Sequence, residues 1–401
     1  MKKILALLAS IVLFLSPCVA QQSGTAIAVD PRGRLAFLNT NSLGQIFLAQ
    51  AGPGITNAQS GVAVALNPSG TLAYLNVDST GGLIVSGGGT VNATALNCAS
   101  VKAQSLTSNT WNTVVSVSGA GVITRLFFSV LQNGSTATPR NASIRITFNG
   151  AGTPQFGGSA GIPICQVFGP GPNAPNPTNG FKSDIINCSY DQGTASPVGF
   201  VGMIHVPMPF ATSFLVECNP GVFTGGPATV YCMAEYTTGY VSAGSLNPAS
   251  GMVLNAVNAT YTTTSLTEQT LWSSGSPCML LGLWHFFSPP GGAQTGQDFT
   301  YLEGKYRIYP NGSGTANYTS SGTEDLYFSG IYFFEGVSAT NTAGMVYKNF
   351  GNGQINAYRF FDQNTLPQGT SGLKLTWTNG DGAYNPYQYS VTNTVTVFFY
   401  Q

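Results

Sequence analysis

The stretch Ser143-Ile-Arg-Ile-Thr-Phe148, followed by Asn149-Gly150, shows the pattern that decides the fold of this chain. Apolar residues alternate with polar ones, which is typical of a β-strand with one face in a core, and Asn-Gly favours a tight turn with positive φ. Similar runs recur along the chain, namely Val122–Val130, Ser213–Cys218, Thr229–Tyr236, Lys305–Tyr309, Leu326–Phe334, Leu373–Thr378 and Thr394–Tyr400. With 50 Gly, 23 Pro and no sustained helical periodicity, the sequence predicts an all-β protein of antiparallel sandwiches or jelly rolls.

The first 20 residues have the features of a secretory signal peptide. Lys2 and Lys3 precede an apolar stretch at positions 4–15, and small residues follow at Cys18–Ala20. We therefore expect a protein that is secreted or periplasmic after cleavage near Ala20. No later stretch is long and apolar enough to predict a membrane span.

Seven cysteines become six once Cys18 is removed, and an even number favours disulfides in an exported chain. Cys218 and Cys232 flank a Gly/Pro-rich segment between two predicted strands, so we expect them to bridge a hairpin. Cys165 and Cys188 bracket a loop and form the second candidate pair. Buried free thiols are the alternative.

An internal repeat follows the signal peptide. Residues 24–39 match residues 61–76 at an offset of 37, and each copy consists of a strand, a Pro-x-Gly turn and a second strand. Two copies are too few for a propeller or a self-sufficient solenoid. The sequence therefore predicts a small β-hairpin module over residues 21–100, docked on the main body or on a neighbouring subunit.

Charge is scarce, at 7% of residues, and the sequence contains no basic patch or run. That composition argues against a nucleic-acid partner. The two histidines, His205 and His285, have no His or Cys at ligand spacing, so we predict neither a metal site nor a cofactor.

Two glutamates, Glu303 and Glu324, are the candidates for acid/base chemistry, because each has a glycine within two positions in a strand-and-turn context. Glycoside hydrolysis requires two carboxyl groups that face each other across a sugar. If residues 302–309 form a strand, Glu303 and Lys305 share a face, and the ammonium favours a charged nucleophile. The charge of Asp325 favours a protonated Glu324, which suits the acid/base.

A resemblance to a known family supports the hypothesis that the two glutamates are catalytic. From about residue 110 to the C-terminus the chain resembles glycoside hydrolase family 172, formerly a domain of unknown function. The matching motifs lie in the family's order: Ser118-Gly-Ala-Gly-Val-Ile-Thr-Arg-Leu-Phe127, Arg145-Ile-Thr-Phe-Asn-Gly150, Val206-Pro-Met-Pro-Phe210, Leu302-Glu-Gly304, Tyr309-Pro-Asn-Gly312, Ser321-Gly-Thr-Glu-Asp325, Tyr358-Arg359-Phe360 and Val397-Phe-Phe-Tyr-Gln401.

The resemblance implies two tandem antiparallel jelly rolls, at residues 105–245 and 246–401, assembled as trimers or larger. It also implies a retaining enzyme that acts on fructofuranosides or arabinofuranosides, with Glu303 as nucleophile and Glu324 as acid/base. Asp325, Arg359 and Trp284 are the candidate substrate-binding residues. The sequence departs from the family pattern at several positions, among them Lys305, where the family has an acid.

Two hypotheses from different classes follow. The first is an exported retaining glycosidase with a carbohydrate substrate. The alternative is a catalytically silent, oligomeric jelly-roll protein that binds glycans or builds a surface or capsid-like assembly. The intact glutamate pair favours the enzyme, whereas the altered surroundings and the low charge favour the structural protein.

Overall fold

A computed structural model gives the fold. It describes the backbone of the strands within residues 25–90, and residues 96–401 apart from 133–141, 169–180, 183–184, 193–197, 224–225, 239–251, 291–299, 313, 328–337, 340–342, 350–352, 362–365 and 383–388. The predicted signal peptide, residues 1–20, lies outside the described residues. The chain divides into two compact units, residues 1–93 with 241–244 and residues 94–240 with 245–401.

The N-terminal unit contains two small antiparallel sheets. The first consists of β1 (Thr25–Val29), β2 (Leu35–Thr40) and β3 (Ile46–Leu48), and the second of β4 (Val62–Leu66), β5 (Leu72–Val77), β6 (Leu83–Val85) and β7 (Gly89–Thr90). The bounds of β1–β3 recur 37 positions later in β4–β6. The predicted repeat is therefore confirmed, but each copy has a third strand and is a meander rather than a hairpin. Docking of this module stays a prediction.

The second unit begins with a sandwich of two sheets. Its elements are β8 (Leu96–Leu106), β9 (Asn112–Ser118), β10 (Gly121–Gln132), β11 (Ser143–Phe148), β12 (Ile162–Pro163), the 3-10 turn η1 (Ile164–Gln166), β13 (Phe181–Lys182), β14 (Ile186–Gln192), β15 (Val198–Ile204), β16 (Met208–Phe210), β17 (Ser213–Asn219) and β18 (Ala228–Thr238). The larger sheet has the order β13-β14-β15-β10-β18-β8, with β16 also on β10, and the smaller sheet has the order β12-β11-β17-β9.

A second sandwich follows in the same unit. Its elements are β19 (Leu254–Thr263), β20 (Glu268–Ser274), β21 (Cys278–Ser288), the 3-10 turn η2 (Thr300–Glu303), β22 (Tyr306–Pro310), β23 (Tyr318–Thr319), the one-turn helix α1 (Thr323–Leu326), β24 (Ser338–Ala339), β25 (Ala343–Asn349), β26 (Gln354–Phe360), β27 (Gln368–Gly369), β28 (Leu373–Thr378) and β29 (Val391–Tyr400). Its sheets have the orders β19-β29-β21-β26-β25-β24, with β27 also on β21, and β20-β28-β22-β23.

Both sandwiches are jelly rolls with one topology. In each, the first strand pairs with the last, and the four sheet-forming strands at the start alternate between the sheets, as do the last two. The order β8-β18-β10-β15 in the first corresponds to β19-β29-β21-β26 in the second, and β9-β17-β11-β12 corresponds to β20-β28-β22-β23. The predicted pair of tandem antiparallel jelly rolls is confirmed. The first jelly roll begins at β8, earlier than the predicted residue 105. The sequence did not reveal this strand because most of β8 is exposed and it shows no apolar alternation.

Three pairs of β-bulges also correspond, which gives the residues of these strands counterparts in the other jelly roll. The β8–β18 ladder has a further shift that the β19–β29 ladder lacks, so on β8 the correspondence holds for residues 96–101. The β10–β18 ladder shifts register just before Arg125, and the β21–β29 ladder shifts just before Gly282. The pairs β9–β17 and β20–β28, and β14–β15 and β25–β26, carry matching shifts. Because a shift of one residue reverses the face of every following side chain, these matches fix the correspondence along each strand.

A shared turn follows β11 and β22. Asn149 and Asn311 both have positive φ, as the Asn-Gly pairs predict. Oδ1 of Asn149 accepts hydrogen bonds from the backbone of Ala211 and Thr212, and Oδ1 of Asn311 accepts one from Ser371. Each turn therefore holds the segment that leads into β17 or β28, which positions the sheet edge beside it.

Candidate functional site

The predicted catalytic residues lie at one end of the smaller sheet of the second jelly roll. Glu303 ends η2 and is half-buried, and Glu324 lies in α1. The two segments are tied together, since the hydroxyl of Thr323 donates to the carbonyl oxygen of Gly304 at 2.8 Å. The predicted strand over 302–309 is wrong at its start, because β22 begins at Tyr306 and Glu303 belongs to a 3-10 turn. The shared face of Glu303 and Lys305 is therefore not formed by a strand.

The side chains of Glu324 and Asp325 lie outside the described residues, so the separation of the two carboxyl groups stays a prediction. Arg359 is half-buried on β26, with its guanidinium 5.3 Å from the ring centre of Phe361. Burial lowers its pKa. Trp284 is only 2% exposed and its indole N–H donates to the carbonyl oxygen of Val167, which leaves no ring face for a sugar.

The six described cysteines are thiols, so the expected disulfides are not formed in the structure. Cys218 lies on β17 in the smaller sheet and Cys232 on β18 in the larger sheet, so the predicted hairpin between them is wrong. Burial raises the pKa of Cys218 to about 12, which makes its thiol unreactive at neutral pH. Cys165 and Cys188 are also buried in the core of the first jelly roll.

Three grooves on the described surface have volumes of about 510, 450 and 390 Å³. Apolar and neutral polar side chains line the largest, which opens beside Trp272 and Phe399. None of the three is lined by Glu303, Arg359 or Trp284. No group of three or more His, Cys, Asp and Glu residues that could hold a metal ion occurs among the described residues. These grooves therefore bring together none of the described sequence-predicted site residues.

The best-defined surface site is the joint between the jelly rolls. Phe156, in the connection between β11 and β12, forms a parallel bridge with Ala256 on β19. Gly157 donates its N–H to Ala256 at 2.8 Å, and the ring of Phe156 lies 6.0 Å from that of Phe398. The hydroxyl of Tyr400 donates to the carbonyl oxygen of Pro207. One edge of the first jelly roll is thus held on the outer face of the larger sheet of the second.

This joint is apolar and continuous with the core of the first jelly roll. It explains why β21 is buried at nearly every position, on both faces, whereas β10 has exposed and half-buried positions. A strand that is buried on both faces reads as a nearly continuous apolar run, as Cys278–Phe287 does apart from Gly282 and His285. That run was the sequence signal that could have revealed the joint. The recurrence of Arg-Ile-x-x-Asn-Gly at residues 145–150 and 307–312 could have revealed the duplication.

A chain of hydrogen bonds runs through the core of the second jelly roll. Nε2 of His285 lies 3.1 Å from Oδ1 of Asn393, and Nδ1 bonds with the hydroxyl of Tyr306, which lies 2.8 Å from that of Tyr327. Because Nδ2 of Asn393 donates to the carbonyl oxygen of Val391, its Oδ1 is an acceptor. Nε2 therefore carries the proton of the imidazole, and Tyr306 donates to Nδ1.

Complete burial lowers the pKa of His285 to about 3, so this histidine is neutral under ordinary conditions. Its counterpart in the first jelly roll is Phe128, and the counterparts of Tyr306 and Asn393 are Ile144 and Val230. A polar network in one core thus replaces an apolar cluster in the other. The network is fully enclosed, so it stabilises and specifies the core rather than forming an accessible site.

No family model matches this chain, and no curated protein matches it. Among solved structures, the crystal structure of the STIV MCP is 10% identical with a TM-score of 0.41, over 76% of this chain and 96% of that chain. The structure of Sulfolobus Turreted Icosahedral Virus is 11% identical with a TM-score of 0.42, over 76% and 90%. The major capsid protein P2 from bacteriophage PM2 is 7% identical with a TM-score of 0.36, over 76% and 97%. At these values the likeness carries no conclusion about what this chain does.

Among the described residues, no helix is long and apolar enough to cross a membrane. The predicted resemblance to glycoside hydrolase family 172, the carbohydrate partner and the secreted location stay predictions.

Proposed function

We propose that this protein is a structural subunit that assembles into rings of jelly rolls and, through such rings, into a capsid-like surface layer. The observation that carries the proposal is the joint between the two jelly rolls. It connects unlike surfaces, the β11–β12 edge of the first and the outer face of the larger sheet of the second. An interface between unlike surfaces repeats, and it closes into a ring when its rotation permits.

The surfaces that a repeat requires are present and exposed. Leu96 on β8 is the counterpart of Leu254, which is fully buried, yet Leu96 is 64% exposed. Tyr318 on β23 is the counterpart of Phe156 and is 36% exposed, against 1% for Phe156. Each chain therefore presents one unused surface of each kind, which supports head-to-tail assembly with further copies.

The composition fits a protein that packs closely against copies of itself. The chain has 14 basic and 14 acidic residues, so its formal net charge is zero. Identical subunits with low charge repel one another little when they meet. A ring of three chains, the number that the family resemblance implies, would contain six jelly rolls. The joint between the two jelly rolls is the observation that supports a role in a shell.

Light scattering and native mass spectrometry of the purified protein test this proposal. The expected result is an assembly of three times the chain mass that persists at micromolar concentration. A monomer at that concentration would overturn it. In parallel, the protein is incubated with p-nitrophenyl furanosides and pyranosides. Hydrolysis that disappears in Glu303→Gln would favour the retaining glycosidase instead, since that variant cannot form a covalent intermediate.

A further inference from the structure

Resting on the proposed ring, we propose that β23 of one copy lies along the edge strand β8 of a second copy and places Tyr318 against a polar face there. That face, called the docking face below, consists of four side chains on the first jelly roll: Cys98, Arg125, His205 and Glu235. The partner is therefore a second copy of this chain, and the contact repeats the internal joint with a different chemistry.

Tyr318 occupies the place in the second jelly roll that Phe156 occupies in the first. Phe156 pairs with Ile146 in the first jelly roll, and Tyr318 pairs with Ile308 in the second. Ile146 and Ile308 occupy the same place in the shared Arg-Ile-x-x-Asn-Gly motif. Tyr318 is therefore the counterpart of the side chain that the internal joint buries.

The docking face occupies the place in the first jelly roll that the internal joint covers in the second. Ala256 pairs with Phe398 on β29, and Cys98 pairs with Glu235 on β18. Because Phe398 lies opposite Gly282 and Glu235 lies opposite Arg125, the bulges make Cys98 the counterpart of Ala256. Ala256 is fully buried in the joint, whereas Cys98 is exposed.

The two faces differ in polarity. The internal joint presents Phe398 and Phe360 to Phe156, with ring centres of Phe398 and Phe360 5.5 Å apart. At the corresponding places the docking face presents Glu235 and His205. The incoming residue changes in the same sense, from Phe156 to Tyr318, which adds a hydroxyl. This matched change on both sides favours a real contact, because a phenylalanine would leave the polar face unsatisfied.

The docking face also contains an acceptor that an incoming hydroxyl can reach. Arg125 and Glu235 form an ion pair at 3.4 Å, and the side chain of Glu235 is 22% exposed. Nε2 of His205 and Nε of Arg125 find no hydrogen-bond partner among the described residues, but both are buried inside the chain and out of reach of a second copy. The Tyr318 hydroxyl can therefore donate to the Glu235 carboxylate, which stands at the place of Phe398 in the internal joint.

The decisive experiment is Tyr318→Cys. In a bridge like that of Phe156 and Ala256 the strands lie about 4.7–4.9 Å apart, which is within the Cα separation of roughly 4.4–6.8 Å that a disulfide requires. Mild oxidation of the assembled variant should therefore link the introduced thiol to Cys98 of another copy. Non-reducing gels would show covalent multimers, and peptide mapping would identify the pair.

Two controls keep the result specific. Tyr318→Cys combined with Cys98→Ser should give no link. Val222→Cys places a thiol at a more accessible but distant position. Val222 is 72% exposed, against 36% for Tyr318, and precedes β18 at the opposite end from Glu235, so its thiol should not link to Cys98. A second variant, Tyr318→Phe, should weaken assembly at least tenfold in dissociation constant, because it removes the hydrogen bond to the Glu235 carboxylate.

The outcomes separate this inference from the proposed function. If the protein assembles but the introduced thiol does not link to Cys98, the ring stands and this contact is wrong. If the wild-type protein does not assemble, the proposed function itself fails. A link to Cys98 in the assembled variant, absent from both controls, establishes the contact.

Discussion

The two jelly rolls share one topology and three matching β-bulges, yet they differ in core and in surface. The first has Phe128, Ile144 and Val230 where the second has His285, Tyr306 and Asn393. The first leaves the outer face of its larger sheet partly exposed and polar, whereas the second buries that face against its neighbour. The difference teaches that ladders and turns set the fold, while side chains at matched positions are free to serve a core or an interface.

The largest expected effect breaks the internal joint. Phe156→Ala removes a fully buried aromatic ring that packs against Phe398, so we expect a loss of about 3–5 kcal/mol in the free energy of unfolding. Tyr318→Ala, at the counterpart position, should cost about 1–2 kcal/mol in a dissociated chain, because Tyr318 is 36% exposed, although its ring contacts that of Phe361. Urea denaturation at a concentration where the protein is monomeric measures both. Equal losses would contradict the assigned difference between the two edges.

The second prediction exchanges the cores. His285→Phe copies the first jelly roll but leaves Oδ1 of Asn393 without its partner, while the hydroxyl of Tyr306 keeps its hydrogen bond with Tyr327. We expect a loss of about 1–3 kcal/mol, which is the cost of one buried unsatisfied polar group. The triple variant His285→Phe, Tyr306→Ile, Asn393→Val should recover part of that loss. Recovery is measured in the same urea titration, and a triple variant less stable than the single one would show that the two cores are not interchangeable.

The third prediction concerns pH. Because the pKa of His285 is about 3 in the folded protein and about 6.5 in the unfolded chain, only the unfolded chain binds the proton between these values. Its contribution to stability is therefore complete above pH 6.5 and falls by about 1.4 kcal/mol per pH unit as the pH drops toward 3. Thermal unfolding at pH 7, 6, 5 and 4 tests this slope. In His285→Phe the slope of stability against pH should be smaller by about 1.4 kcal/mol per pH unit, because the titrating group is absent, whereas Phe128→Ala should retain the full slope.

The smallest effect tests what the jelly rolls have in common. Asn149→Ala and Asn311→Ala each place alanine, which adopts positive φ less readily than asparagine, and remove the hydrogen bonds that Oδ1 accepts from the backbone. We expect similar losses of about 1–2 kcal/mol. Asn149→Gly and Asn311→Gly should cost less, since glycine keeps the turn conformation. A large difference between the two alanine variants would indicate that the two turns contribute unequally to stability despite their shared geometry.

Much of the fold followed from the sequence. The strands Ser143–Phe148 and Leu373–Thr378 were predicted to the residue, and the repeat offset of 37 was confirmed in the N-terminal unit. The prediction of a strand over Leu326–Phe334 was wrong at its start, because Leu326 ends the helical turn α1, and residues 328–334 lie outside the described part. Short apolar runs cannot be assigned by periodicity alone, since a helical turn and a strand look alike over four residues.

The candidate site followed only in part. The sequence predicted that Glu303 and Glu324 share one site. The hydrogen bond from the Thr323 hydroxyl to Gly304 ties their two segments together, and the shared site stays a prediction. It predicted that Trp284 binds a substrate, whereas Trp284 is buried against Val167. It predicted that Cys218 and Cys232 flank a hairpin, whereas β17 and β18 belong to different sheets. Those outcomes depend on which sheet a strand joins, and no local pattern encodes that.

By itself, the sequence determined the all-β class and the turns with positive φ, because alternation and Asn-Gly pairs act over a few neighbouring residues. The tandem arrangement of two jelly rolls was what the family resemblance implied. Only the tertiary structure decided which face of each larger sheet is covered. Phe156 and Tyr318 occupy the same local position, yet one is buried and the other partly exposed. The reason is physical: burial depends on the surface that a side chain meets, and that surface lies about a hundred residues away for Phe156.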